Sequence, residues 1–177
     1  MSTVTTLVVV CIGNLCRSPM AEALLRARLA GVDVQSAGIG ARDGQPADPH
    51  AVALLRERGL DLAAHRARRL PPWLAARAGL ILTMDLEQKR WIVRRHPALC
   101  GRVFRLGEFC EAPDGASRGI DVPDPYLGPR AAFEHSLRLI ERGVDSWCAR
   151  LAPPAAAPRG TPPAGLTPPA PSSRLPD

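Results

Sequence analysis

The sequence predicts an α/β domain built on a four-stranded parallel twisted sheet, with helices on both faces and a tight loop after the first strand. Three observations predict it. Short, continuously apolar runs recur as buried parallel strands require. Each is followed by a segment of helical periodicity. The 177 residues suffice for one well-packed core, and 46% hydrophobic with 23% charged residues is the balance of a globular chain.

Leu7-Val8-Val9-Val10 reads as a central strand that Cys11 closes. Gly13 and Asn14 break it and can take unusual backbone angles. Ser18 is expected to cap a helix, with Pro19 at its first position and Glu22 in its first turn. Met20, Ala23, Leu24 and Ala27 continue at helical spacing. Val32 to Ala37 reads as a second strand, and Pro49 to Arg58 as a helix ended by Gly59. Leu80 to Met84 is a third, buried strand, and a helix from Leu86 to His96 stops before Pro97. Val103 to Leu106 supplies the fourth strand. A long amphipathic helix from Ala131 to Leu151 turns Leu137, Ile140, Val144 and Trp147 toward the core. The domain is therefore expected over residues 1–151. From 152 to 177 the chain turns to Pro, Ala, Gly and Ser, a composition expected to be a disordered tail.

The formal net charge is +6, and Lys89 is the single lysine among 23 basic residues. That balance suits an anionic ligand. The arginines are scattered over amphipathic segments with few aromatics beside them, which argues against nucleic acid. Residues 1–6 lack a basic start, and Leu7 to Ile12 is too short for a signal or a membrane span, so a cytoplasmic protein without membrane insertion is expected. Five irregularly spaced cysteines do not describe a secreted disulfide framework, and no Cys/His cluster has zinc spacing. No metal or cofactor is expected.

The stretch Cys11-Ile12-Gly13-Asn14-Leu15-Cys16-Arg17-Ser18 places a Cys and an Arg around five residues, between strand and helix. A loop with inward amides that ends on a helix N-terminus cradles a dianion, and phosphate is its natural occupant. Arg17 adds a planar fork for two phosphate oxygens. The same positive potential favours the thiolate of Cys11, which can then attack phosphorus. Ser18 can also donate to that sulfur. The leaving oxygen needs an acid. Asp124, between Pro123 and Pro125, sits on a stiff loop and is the best candidate, with Asp121 its rival.

Val10 to Glu22, Ser36-Ala37-Gly38, His65-Arg66-Ala67-Arg68 and Asp124-Pro125-Tyr126 together resemble the low-molecular-weight protein tyrosine phosphatases, in order and spacing, over roughly residues 4–151. The resemblance implies a phosphotyrosine hydrolase in which Cys11, Arg17 and Asp124 are catalytic and a cysteinyl-phosphate forms. It implies that Ile12, Gly13, Asn14, Leu15, Cys16, Ser18 and Tyr126 line the substrate site. Asn14, Ser18, Ser36 and His65 would form the hydrogen-bond network that holds the loop. Cys16 would pair reversibly with an oxidised Cys11, or else be a small buried residue. Cys100, Cys110 and Cys148 look like packing cysteines.

Two rivals share the fold. Arsenate reductases carry a cysteine just after the strand equivalent to Leu80 to Met84, a stretch that has none here. Protein arginine phosphatases carry a Thr at the position of Leu15, whereas tyrosine phosphatases carry an aliphatic residue there. A binding module without catalysis would not need nucleophile, arginine and acid together. Tyr126 is followed by Leu127, not a second tyrosine, and 38–48 contains no aromatic residue. Both features resemble the bacterial exopolysaccharide-associated branch, so the expected partner is a phosphotyrosine protein such as an autophosphorylating tyrosine kinase. Arg42 and Asp43 should sit on the pocket rim without an assigned contact. The sequence assigns no oligomeric state.

Overall fold

The computed structural model describes residues 4–111, 115 and 118–151. The expected tail, 152–177, lies outside the described residues. Elements follow in the order β1 (Thr6–Cys11), α1 (Arg17–Arg28), β2 (Asp33–Gly38), α2 (Pro49–Arg56), α3 (Pro72–Arg77) and β3 (Leu80–Thr83). Then come α4 (Leu86–Arg95), a 3-10 turn (Pro97–Leu99), β4 (Val103–Arg105), β5 (Gly107–Glu111), β6 (Arg118–Ile120) and α5 (Arg130–Leu151).

The four-stranded sheet is parallel with order β2-β1-β3-β4. The apolar runs earn central places: Leu7 to Val10 in β1 and Ile81 and Leu82 in β3 are fully buried. Each such side chain gains roughly 1.5–3 kcal/mol over an exposed one. The pleat divides them between two cores. Leu7, Val9 and Cys11 face Met20, Leu24, Leu55, Phe133, Leu137 and Val144 of α1, α2 and α5. Val8, Val10 and Ile81 face Leu74, Ala75 and Ile92 of α3 and α4. Helices thus cover both faces, as expected.

Differences from the sequence reading are local. α1 starts at Arg17 with Cys16 as an N-cap that makes no side-chain capping bond, so Ser18 does not cap it and Pro19 is third, not first. Glu22 falls beyond the first turn, which holds no acidic residue. The physical reason is that the Ser18 hydroxyl has stronger business with the Cys11 sulfur and Asn14. Asp48 is the true side-chain cap of α2, accepting from the His50 N–H at 2.9 Å. α3 and the antiparallel β5–β6 pair were not foreseen. The first is six residues long and the second is punctuated by Gly107 and Gly119, so neither displays a readable period.

Candidate active site

Cys11 is the last residue of β1, 3% exposed, at the carboxyl end of the sheet, where open α/β sheets bind ligands. The Asn14 N–H donates to Cys11 Sγ at 3.2 Å, and the Ser18 hydroxyl lies 3.0 Å from it. The turn needs one residue in the left-handed region. Asn14 takes it, at φ 54°, while Gly13 does not.

The Asn14 side chain locks that turn from behind. Its Nδ2 donates to Ser18 Oγ at 2.9 Å and Ser36 Oγ at 2.8 Å, and its Oδ1 accepts from the Arg68 N–H at 3.0 Å. The Asn14 carbonyl meets His65 Nε2 at 2.8 Å. Ser36 in turn donates to Glu22, which pairs with Arg26 at 3.0 Å. Asn14, Ser18, Ser36 and His65 are therefore brought together as one buried or half-buried network. Gly38 explains its own place in the Ser36-Ala37-Gly38 motif. A Cβ there would stand 2.5 Å from the Ile12 carbonyl oxygen and 3.0 Å from the Asn14 nitrogen.

Arg17, 3% exposed, is aimed from the start of α1. Nη1 donates to the Val122 carbonyl at 3.0 Å and lies 3.5 Å from Asp85 Oδ2; Nη2 pairs with Asp124 Oδ2 at 2.7 Å. Asp85 was missed by sequence reasoning. It caps α4 through the Gln88 N–H at 2.8 Å, and an Asp opening a helix just after a buried strand was the available signal. The rival Asp121 is captured by Arg105 at 3.0 Å and does not line the cavity.

The acid-bearing segment is tied at its base. The Val122 N–H donates to the Met84 carbonyl at 2.8 Å, and Ser136 of α5 donates to the Pro123 carbonyl at 2.8 Å. Its tip is open: the Asp124 side chain is 48% exposed, Tyr126 52% and Leu127 87%.

These residues enclose a cavity of about 350 Å³, lined by Cys11 to Gly13, Leu15 to Arg17, Gly40, Arg42, Gln45, Asp124 and Tyr126. A larger polar groove, about 770 Å³, runs behind the network past Glu22, Ser36 and His65, away from the thiol. Cys16 is buried, and that burial, reinforced by the Asp48 and Cys11 charges, pushes its thiol far up, so it stays protonated beside the Cys11 sulfur. All five cysteines are free. Cys100 precedes β4, at the opposite end of the parallel sheet from Cys11, so it cannot relay oxidation from the loop. Among the described residues, no group of three His, Cys, Asp or Glu side chains could hold a metal ion, and no helix is long and apolar enough to cross a membrane.

A cysteine sulfur in hydrogen-bond contact with the Asn14 N–H and the Ser18 hydroxyl, with a guanidinium fork and an opposed carboxyl at the mouth of the loop, can support phosphoryl transfer to sulfur. That chemistry on this sheet defines a cysteine-dependent phosphatase. Residues 6–156 match the family model of the low molecular weight phosphotyrosine protein phosphatases, and the chain belongs to that family. It is 52% identical over 148 residues to the probable low molecular weight protein-tyrosine-phosphatase EpsP of Ralstonia nicotianae, covering 84% of this chain and 97% of that one. The tyrosine phosphatase Wzb from Escherichia coli K30, solved with sulphate, is 31% identical with a TM-score of 0.77, covering 85% and 100% of the two chains. The arginine phosphatase YwlE of Geobacillus stearothermophilus is 34% identical with a TM-score of 0.75, covering 83% and 92%.

Proposed function

We propose that the protein hydrolyses phosphotyrosine in proteins by two displacements at phosphorus. The carrying observation is that Cys11, Arg17 and Asp124 line one cavity while Asp121 is held outside it. The Cys11 thiolate attacks phosphorus, the ester P–O bond breaks, and Asp124 gives its proton to the departing tyrosine oxygen. Asp124 then takes a proton from water, whose oxygen attacks phosphorus. The S–P bond breaks, phosphate leaves and the thiolate returns. Arg17 and the loop amides hold the equatorial oxygens throughout. Phosphate oxygens compete for the Arg17 Nη2 that binds Asp124, so arrival of the phosphoryl group releases the carboxyl for its acid role.

Overall likeness does not separate tyrosine from arginine phosphatases, because Wzb and YwlE superpose almost equally well. Leu15, on the cavity wall, favours the flat apolar ring of tyrosine over a guanidinium. Turnover of phosphotyrosine and phosphoarginine peptides decides it, and faster phosphoarginine cleavage overturns the reading. The single Tyr126 and the aromatic-free rim support a cytoplasmic bacterial role opposite an autophosphorylating tyrosine kinase in exopolysaccharide synthesis. Trapping with full-length Asp124→Ala in an extract tests that partner. The nearness of Cys16 to Cys11 on one cavity wall supports reversible pairing after oxidation; mass spectrometry of peroxide-treated protein should show an 11–16 disulfide.

A further inference from the structure

The segment between β2 and α2 is built as a fixed wall. Its first amides, Ile39 and Gly40, donate to the Cys11 and Ile12 carbonyls at 3.0 and 2.9 Å, and Asp48 donates to the Leu15 carbonyl at 2.9 Å. Between these anchors it pairs with residues 67–69. Gly44 donates to Ala67 and Ala67 to Gln45, each at 2.8 Å, and Asp43 Oδ1 accepts from the Arg69 N–H at 2.7 Å. Consecutive side chains therefore have opposite fates: Asp43 is spent on the strap, whereas Arg42 lines the cavity. Arg42 is exposed, and among the described residues it makes no ion pair or side-chain hydrogen bond.

The strand order decides what Arg42 faces. β2 and β3 flank β1, so the Arg42 wall and the Asp124 segment, tied to Met84 just after β3, reach the cavity from opposite sides. Arg17, at the loop itself, supplies the fork for the phosphoryl group. Arg42 stands on the β2 side of the same cavity. Exposed Arg66 and Arg69, on the strap behind it, extend the positive fringe. Both neighbouring carboxylates are occupied, Asp43 by the Arg69 amide and Asp48 by the His50 amide.

Resting on the phosphotyrosine reading, we propose that Arg42 is a specificity-determining residue that selects substrates with a carboxylate side chain next to the phosphotyrosine. Its guanidinium pairs with that carboxylate at the rim, where partial exposure keeps the gain modest and salt-sensitive. An aliphatic or basic neighbour receives no such contact.

The test compares kcat/KM of the full chain on two phosphotyrosine peptides, one with Glu on both sides of the phosphotyrosine and one with Gln in the same places. Wild type should prefer the Glu peptide about two- to fivefold at low salt, the range of an exposed ion pair. Raising salt to about 0.5 M should shrink the preference. Arg42→Ala should bring the ratio near one, and Arg42→Glu should reverse it. Arg94→Glu in α4, outside the cavity, changes net charge equally and should leave the ratio intact. The proposal is overturned by a wild-type ratio near one, by a preference that survives in Arg42→Ala, or by an equal collapse in Arg94→Glu. A loss that is the same on both peptides places Arg42 on the phosphoryl group and overturns it too. If neither phosphotyrosine peptide is cleaved while a phosphoarginine peptide is, the underlying function fails and the proposal with it.

Discussion

The loop that opens at Cys11 and the segment that carries Asp124 and Tyr126 line one cavity and are held in opposite ways. The loop is braced from behind: Asn14, Arg17 and Ser18 are almost completely buried, and the Asn14 side chain alone joins three partners. The Asp124 segment has its backbone fastened at Val122 and Pro123, with Asp121 held by Arg105 and Asp124 by Arg17. From Asp124 on, its residues are about half exposed or more, apart from Pro125 and Gly128. The difference follows from the two tasks. Donors that stabilise charge at phosphorus act only if their positions are set before reaction. An acid that must let a phosphotyrosine side chain pass needs a fixed base and an open tip.

Substitutions in the two regions should therefore separate stability from rate. The largest effect is expected from Cys11→Ser, which keeps the brace but replaces the nucleophile. Turnover should fall by about a thousandfold or more. Phosphate binding, read by calorimetry, should persist, and an undiminished rate would sink the mechanism.

On the open side, Asp124→Ala should lower kcat by about a hundredfold or more, the usual scale of a general acid. The deficit should shrink on aryl phosphates whose leaving group needs no proton. Stability should move by less than about 1 kcal/mol, because Asp124 itself is half exposed and Arg17 keeps the Val122 carbonyl and Asp85. Asp121→Ala should scarcely change kcat; if it is the slow variant, Asp121 and not Asp124 is the acid.

Asn14→Ala tests the braced side. Losing three hydrogen bonds around a buried side chain should cost about 3 kcal/mol, seen as a melting temperature lower by roughly 6–12 °C. It should also cost about tenfold to a hundredfold in kcat through misplacement of the loop. A variant that slows catalysis without losing stability would break the contrast. Gly38→Ala, which puts a carbon against the Ile12 carbonyl, should destabilise by about 1–3 kcal/mol in the same denaturation assay.

The smallest effect belongs to the open tip. Leu127 stands at φ 61°, a strained region for its side chain, and is 87% exposed. Leu127→Asn should raise stability by about 0.5–1 kcal/mol in urea unfolding, since Asn tolerates that conformation.

Much of the braced region was legible in the sequence because it is contiguous. A buried run, a break and a helix follow one another within β1 to α1, and Cys11 and Arg17 are six positions apart. The flanking prolines favoured Asp124 over Asp121 but could not say which of the two reaches the loop. Arg105, brought by β4, removes Asp121, and Arg17 receives Asp124. The caps of α1 and α2 were likewise misjudged or missed because the Ser18 hydroxyl is claimed by the Cys11 sulfur and Asn14, and no propensity reports such a competition.

By itself, then, the sequence determined the sheet's apolar strands, the loop that follows the first of them and the cysteine that opens it, because hydrophobic periodicity and loop chemistry act between near neighbours in the chain. Only the tertiary structure decided the strand order β2-β1-β3-β4, and with it which distant carboxyl meets Arg17, why position 38 must be Gly, and that Arg42 faces the cavity while Asp43 is turned to its strap. Those outcomes depend on which strands become neighbours, a choice made by burying both faces of the sheet at once and written in no single stretch of residues.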